Sequence, residues 1–395
     1  MGLKFWLIAM TAVAVVADTM LLPFYPQYFA ERFGVTDPEH IGLYTAAICL
    51  VAMLSLPLWA KLVRPGGTLR LLMWTQVGAG LLCIACSLTD NLWAFWALSL
   101  AMIVFKASYL LIYPYLMEGV AEEDHANTIG VLSIVVHFGH IAGAVLGGLA
   151  LAYWPLQHAF LLMAVGDVVQ IAVCAGLIIA GLERPVDPAA SQSTEPLRTS
   201  SGIHALGLLM LVFYFSEYQI VPFFVEYWKQ IAPGHGVQLA SWVYAIPAGV
   251  GLLALWFNHR AVRGDWARSI VFCLLLGVAG LVLQGCGKPG WVLLGRLMFG
   301  WASFQLTVRL DSMIFERSTP EAYAHDYSKI NIYQNVGVLM SYYGAGWLVG
   351  QHGLATPFWL AAAGFALTLL LFPLLSAPRP FFQRLANRST ADVLP

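Results

Sequence analysis

Ala17-Asp18-Thr19-Met20-Leu21-Leu22-Pro23-Phe24-Tyr25-Pro26-Gln27-Tyr28-Phe29 closes the first long apolar run of the chain, residues 5–29, and places a carboxylate in a segment with no other charge. A charged side chain at bilayer depth costs at least ~2.5–3.5 kcal/mol, so it calls for a partner, a proton or water. The pattern returns as Ser216-Glu217-Tyr218-Gln219-Ile220-Val221-Pro222-Phe223-Phe224-Val225-Glu226-Tyr227-Trp228. Asp18 maps to Glu217, Pro23 to Pro222, Phe24 to Phe223 and Tyr28 to Tyr227, each pair 199 residues apart. Two acids at equivalent points of two copies suggest one central site.

The rest of the chain suits a bilayer. It is 59% hydrophobic and 10% charged, with a mean hydropathy of +0.74. A soluble domain carries about 25% charged residues, so the composition is that of an integral membrane protein. A helical span needs about 20 mostly apolar residues. Twelve such runs are present, at 5–29, 40–63, 69–88, 92–117, 127–152 and 158–182, then 203–228, 237–258, 268–287, 290–315, 329–350 and 357–376. The first is preceded only by Lys4 and is too long for a signal core, so it reads as a retained span. Residues 183–202 are rich in Pro, Ser, Thr and charge, the composition of a solvated linker. The expected organisation is a six-helix bundle at 1–182, a cytoplasmic linker at 183–202, a second bundle at 203–376 and a cytoplasmic tail at 377–395.

Fourteen of the Lys and Arg residues fall on the side that holds both termini, against Arg32, Lys229 and Lys288 on the other. That bias predicts cytoplasmic termini. The six cysteines have neither metal-type nor disulfide-framework spacing. His137 and His140 share a helix face, which reads as a proton relay or packed imidazoles rather than a metal site. Phosphate-cradling loops, Ser-His-Asp arrangements and nucleic-acid-type basic patches are all missing from the sequence.

The duplication extends further. Leu58-Trp59, Arg64, Gly66 and Arg70 answer to Leu255-Trp256, Arg263, Gly264 and Arg268, and Glu118 answers to Glu316, at offsets of 197 to 199. Parallel halves with a midplane site describe a common plan for secondary transporters. In span count, 6+6 division and linker, the whole chain resembles the major facilitator superfamily. The fifth span adds Gly130, Gly139, Gly143, Gly147 and Gly148. This spacing is similar to a glycine pattern of the superfamily's proton-coupled drug and metabolite antiporters, with Ala144 where that pattern has proline. Small residues of this kind let helices approach closely. The loop after the second span, Ala60-Lys61-Leu62-Val63-Arg64-Pro65-Gly66-Gly67, offers the basic residues and glycines of the superfamily's loop motif but lacks its aspartate. Arg64 and Arg263 are the gating candidates there.

The resemblance implies that spans one, four, seven and ten line a central cavity. Those four hold Asp18, Lys106, Glu217, and Arg309 with Asp311. Intramembrane ionisable groups mark substrate or proton pathways. Asp18 and Glu217 are therefore the expected proton-coupling pair, with an Asp18–Lys106 structural ion pair as the competing reading. Lys106 and Arg309 are expected to meet a charged substrate, and Asp311 to serve a gate or the structure. Tyr25, Tyr28, Tyr109, Tyr113, Tyr218 and Phe223 offer stacking surfaces, and Asn331 and Asn335 hydrogen bonds. Asp167, in the sixth span, reads as a buried hydrogen-bonding group.

The expectation is an all-α polytopic membrane protein, monomeric, in a bacterial inner or plasma membrane. It would be a secondary active transporter rather than an enzyme, needing no cofactor and using a proton gradient to move a small polar or charged organic solute. The glycine pattern favours export of a drug or secreted metabolite such as a siderophore. The alternative is a proton symporter importing a sugar, nucleoside or organic acid.

Overall fold

The computed structural model describes residues 2–63, 67–117, 122–156, 158–183, 200, 202–234, 236–260, 266–318 and 323–376. They form an all-helical bundle with no strand among them. The first half comprises α1 (Leu3–Thr19), α2 (Tyr25–Phe33), α3 (Pro38–Leu62), α4 (Thr68–Leu88), α5 (Leu92–Lys106), α6 (Ile112–Met117), α7 (Glu122–Tyr153) and α8 (His158–Ile179). The second comprises α9 (Ile203–Tyr218), α10 (Phe224–Ile231), α11 (Val237–Arg260), α12 (Trp266–Gly285), α13 (Pro289–Arg317), α14 (Tyr323–His352) and α15 (Thr356–Ser376).

These fifteen helices make twelve spans. The first, fourth and seventh are each broken in two, as α1–α2, α5–α6 and α9–α10. Eight segments are long and apolar enough to cross a membrane by themselves, and α9 and residues 269–285 are shorter apolar helices. Helices suit this setting because every backbone group inside the bilayer needs an internal partner. The ends are closed by local chemistry. The Asp37 carboxylate accepts from Glu39 N at 3.1 Å ahead of α3, and the Asn91 side chain from Ala94 N at 2.9 Å ahead of α5. Gly34, at φ 68°, ends α2 in the left-handed conformation that glycine adopts without strain.

Large apolar side chains such as Trp74, Leu81, Trp93, Ile179 and Leu370 point outward, more than 60% exposed, where lipid would cover them. Inside, one buried cluster fills the second half around Phe213, Phe224, Phe299 and Phe365. Two fill the first half, one around Tyr28, Phe29, Phe95 and Phe160, the other around Leu7, Leu69, Leu132 and Leu177. We call the face with the loops around residues 34–37, 154–156, 232–234 and 353–355 the distal face, and its opposite the terminal face. Across the halves, α3 packs on α14 and α7 on α11.

Candidate functional site

The breaks in spans one and seven are superimposable in sequence. Helix α1 ends at Thr19 and α2 begins at Tyr25, while α9 ends at Tyr218 and α10 begins at Phe224, both pairs offset by 199. Proline forces the interruption, because its ring clashes with the preceding turn and it donates no N–H. The freed backbone is re-paired in tight turns, Phe24 N to Leu21 O at 2.9 Å and Val221 N to Tyr218 O at 3.2 Å. Asp18 and Glu217 thus each occupy the last turn of a half-helix. Lys106 sits at a third break, as the last residue of α5 before a 3-10 turn over Ala107–Leu111.

In the first half these groups converge on a triad. Lys106 Nζ lies 2.8 Å from Asp18 Oδ1 and 2.5 Å from Asp167 Oδ1. Cys83 Sγ on α4 donates to the other Asp167 oxygen at 3.5 Å. The Lys106 and Asp167 side chains are 2% and 0% exposed, and that of Asp18 is 16% exposed. Lys106 therefore presents no open ammonium to a substrate. The triad depends on close helix approach. A Cβ on Gly166 would come within 2.6 Å of Ala17 Cβ, so glycine there lets α8 carry Asp167 up to α1.

The expected glycine stripe forms the other wall of the same segment. On α7, a Cβ on Gly139 would meet Val15 Cγ1 at 2.9 Å, one on Gly143 the Val16 carbonyl oxygen at 2.6 Å, and one on Gly147 the Met20 carbonyl carbon at 2.8 Å. Gly148 faces Ser241 on α11 in the other half. The second copy repeats the contacts of Gly139, Gly148 and Gly166. Gly337 on α14 abuts Leu211 on α9, Gly364 on α15 abuts Ser216, and Gly346 on α14 abuts Gly42 on α3. Gly139 and Gly337, Gly166 and Gly364, and Gly148 and Gly346 are each 198 apart, and Gly42 and Ser241 are 199 apart. The surroundings of Gly130 lie outside the described residues, as do Arg64 and Arg263.

Glu217 has different company from Asp18. The Ser303 hydroxyl on α13 donates to its carboxylate. Among the described residues no cation lies within ion-pair distance of it. The positions 198 beyond Lys106 and Asp167 are Phe304 and Phe365, so phenyl rings replace both partners. Asp311 accepts from Gln334 Nε2 on α14 at 3.4 Å. Arg309 reaches α12, where Nη1 donates to Cys273 Sγ at 3.1 Å. Tyr214 and Tyr218 stack at 6.0 Å between centroids, with Tyr342 edge-on to Tyr218 at 6.1 Å.

The other aromatic candidates divide by burial. Tyr25, Tyr28 and Phe223 are 3% exposed or less and belong to the core cluster; the Tyr28 ring packs 5.2 Å from Phe95 and 5.5 Å from Phe160. Tyr109 and Tyr113 are half-buried against the cluster near the terminal face. On α14, Asn335 donates to the Asn331 carbonyl at 2.8 Å and to its side chain.

Sequence reasoning missed Ser303 and the Gly42–Gly346 contact, and it did not foresee the partners of Asp167 and Arg296. Ser303, an ordinary helix residue by pattern, bonds Glu217. Asp167 proves to be an ion partner of Lys106. Arg296 on α13 is buried, donates to the Val243 and Tyr244 carbonyls on α11 and lies 4.2 Å from the Phe224 ring centroid. Gly42 and Gly346 bring the backbones of α3 and α14 together between the halves near the distal face, where Lys229 Nζ also reaches Gln27 Oε1 and Gln351 Nε2 reaches Glu39 Oε1, both at 2.9 Å.

Twelve spans repeated in two copies, with charged groups buried at the ends of broken helices, define a polytopic membrane transporter. The chain belongs to the Major Facilitator Superfamily, whose profile matches residues 7–308. It is similar to the multidrug resistance protein MdtG of Dickeya zeae (strain Ech586), 21% identical over 337 residues that cover 81% of each chain. Among solved structures it resembles the human organic anion transporter MFSD10 (TETRAN), with a TM-score of 0.68 at 15% identity over 93% of this chain and 98% of that one. It also resembles a bacterial homologue of the iron transporter ferroportin in an inward-facing state, with a TM-score of 0.70 at 14% identity over 95% and 98%. At these identities the solved structures speak for the fold alone.

Proposed function

We propose that the protein is a proton-coupled exporter of small polar or charged organic solutes, with Asp18 and Glu217 as the proton-exchanging carboxylates. The observation that carries this reading is their placement at the same point of two broken helices, one in each half, where rocking of the halves would turn both towards alternate sides. The likeness to multidrug resistance proteins supports export. In this reading the units 1–182 and 203–376 move as bodies about the linker 183–202, and the Gly42–Gly346 and Gly148–Ser241 contacts form and part in each cycle. The protein works as a monomer, with both termini in the cytoplasm and the proton gradient as its sole energy source. Tyr214, Tyr218 and Tyr342 offer the organic body of the solute its aromatic wall.

The test is transport by purified protein in proteoliposomes under an imposed pH gradient, with a panel of fluorescent drugs as probes. Native protein is expected to drive a probe against its gradient, and Asp18→Asn with Glu217→Gln to leave only passive exchange. Gradient-driven transport that survives both substitutions removes the coupling assignment. Uptake into intact cells that rises at low external pH on expression would favour proton symport, the reading in which the same two carboxylates drive import.

A further inference from the structure

We propose that Asp167 is the standing counter-ion of Lys106, a positioning residue whose presence leaves Asp18 free to take up and release a proton. The inference rests on Asp18 being a proton-exchanging group, as proposed above, and assigns a role to a carboxylate outside that pair. Two acids compete for one ammonium, and their surroundings differ. Asp167 is fully enclosed, lies 2.5 Å from Lys106 Nζ and receives Cys83 Sγ on its second oxygen. Asp18 is the one member of the triad with appreciable exposure, lies 2.8 Å from the ammonium, and sits where α1 stops. A proton reaching the triad therefore meets Asp18 first.

Without Asp167, a proton arriving at Asp18 would strand Lys106 as an unpaired charge in the bundle, and breaking a buried pair from one side is strongly unfavourable. With Asp167 in place, Lys106 keeps a counter-ion in both states of Asp18. The other groups around Asp18 come from each packed element: Cys83 from α4, Lys106 and Tyr109 from the fourth span, Asp167 from α8, and Tyr25 beyond the break. From α7 comes His140, whose carbonyl accepts the Thr19 hydroxyl at 3.5 Å. The second half shows the contrast. Among the described residues no lysine lies within ion-pair distance of Glu217, and Phe365 stands where Asp167 stands in the first half.

The experiment follows the protonated-carboxyl stretching band of the reconstituted protein by difference infrared spectroscopy across a pH titration, with protons as the only ligand. In native protein one titrating component is expected to vanish in Asp18→Asn. In Asp167→Asn that component should move to lower pH by about one unit or more, because Lys106 then belongs to Asp18 alone, while Asp167→Glu should leave it near its native midpoint. An unmoved midpoint in Asp167→Asn overturns the proposal. So does a titrating component that survives Asp18→Asn and disappears when Asp167→Asn is added, a result that does not require Asp167→Asn to fold by itself. A native protein with no component sensitive to Asp18→Asn would instead overturn the reading of Asp18 itself.

Discussion

The Ser303 hydroxyl on α13 is bonded to the Glu217 carboxylate on α9, whereas Asp18, 199 residues earlier at the same point of its own helix, is held by a lysine. The two copies have kept the acid and the break while exchanging the partner. One half neutralises its carboxylate with charge; the other solvates it with a neutral donor.

That difference separates stability from transport in the second half. Ser303→Ala strips the hydroxyl from a buried carboxylate, which costs about 1–3 kcal/mol when the partner is left unsatisfied. The expected result is a lowered Tm for the detergent-solubilised protein. Glu217→Gln retains an acceptor for Ser303, so its Tm should stay near native while proton-driven transport is lost. A Glu217→Gln protein less stable than Ser303→Ala would show that the charge, rather than the hydrogen bond, holds α9 to α13.

The first half predicts the opposite dependence. Lys106→Met leaves Asp18 and Asp167 facing each other without a cation, and removing one partner of a buried pair costs about 3–5 kcal/mol. Adding Asp167→Asn removes one of the two orphaned charges and should recover a large part of the loss. Thermal unfolding of the native, single and double variants gives the coupling directly. Additive losses would mean that Lys106 and Asp167 do not depend on each other for stability.

How much of this was legible in the sequence follows from what each feature needed. Span count, the duplication and the positions of Asp18 and Glu217 are written in apolar run length, a constant offset and the cost of charge in lipid. The break was foreseeable because Pro23 and Pro222 act on their own helices. The Lys106–Asp167 pair was not, because it depends on how deeply α8 settles against α1, a distance set by Gly166 and Ala17 rather than by spacing along one helix. Ser303 carried no signal, since serine is an ordinary span residue until a neighbour presents a buried carboxylate. Tyr28 shows the converse: aromatic type and the vicinity of the acid suggested a ligand surface, yet its ring is enclosed by Phe95 and Phe160.

Arg296 tests whether a buried cation here serves packing. Its guanidinium donates to two α11 carbonyls and stacks over Phe224. Lysine cannot reproduce a planar fork that serves two acceptors and a ring face together. Arg296→Lys should therefore lower stability by about 1–3 kcal/mol, read as a fall in Tm, with the pH dependence of transport unchanged. A changed pH profile with native Tm would move Arg296 from packing into the coupling machinery.

The contact between Gly42 and Gly346 makes the sharpest conformational prediction. A Cβ on Gly42 would lie 2.7 Å from Gly346 Cα and 2.8 Å from the Tyr342 carbonyl oxygen, both backbone atoms that a rotamer change cannot move. Gly42→Val should therefore penalise the arrangement in which α3 meets α14 near the distal face, by the ~1–3 kcal/mol typical of overpacking. An opposite arrangement with that contact parted would escape the penalty, so the population should shift towards it by roughly tenfold, since each 1.4 kcal/mol is a factor of ten. Labelling of a cysteine introduced at Thr45, fully buried one turn deeper on α3, reports the shift. Faster labelling from the distal side in Gly42→Val, matched by Gly346→Val, is the expected outcome. Unchanged labelling in both would mean that the α3–α14 contact does not part during the cycle, and that the halves pivot about it rather than open there.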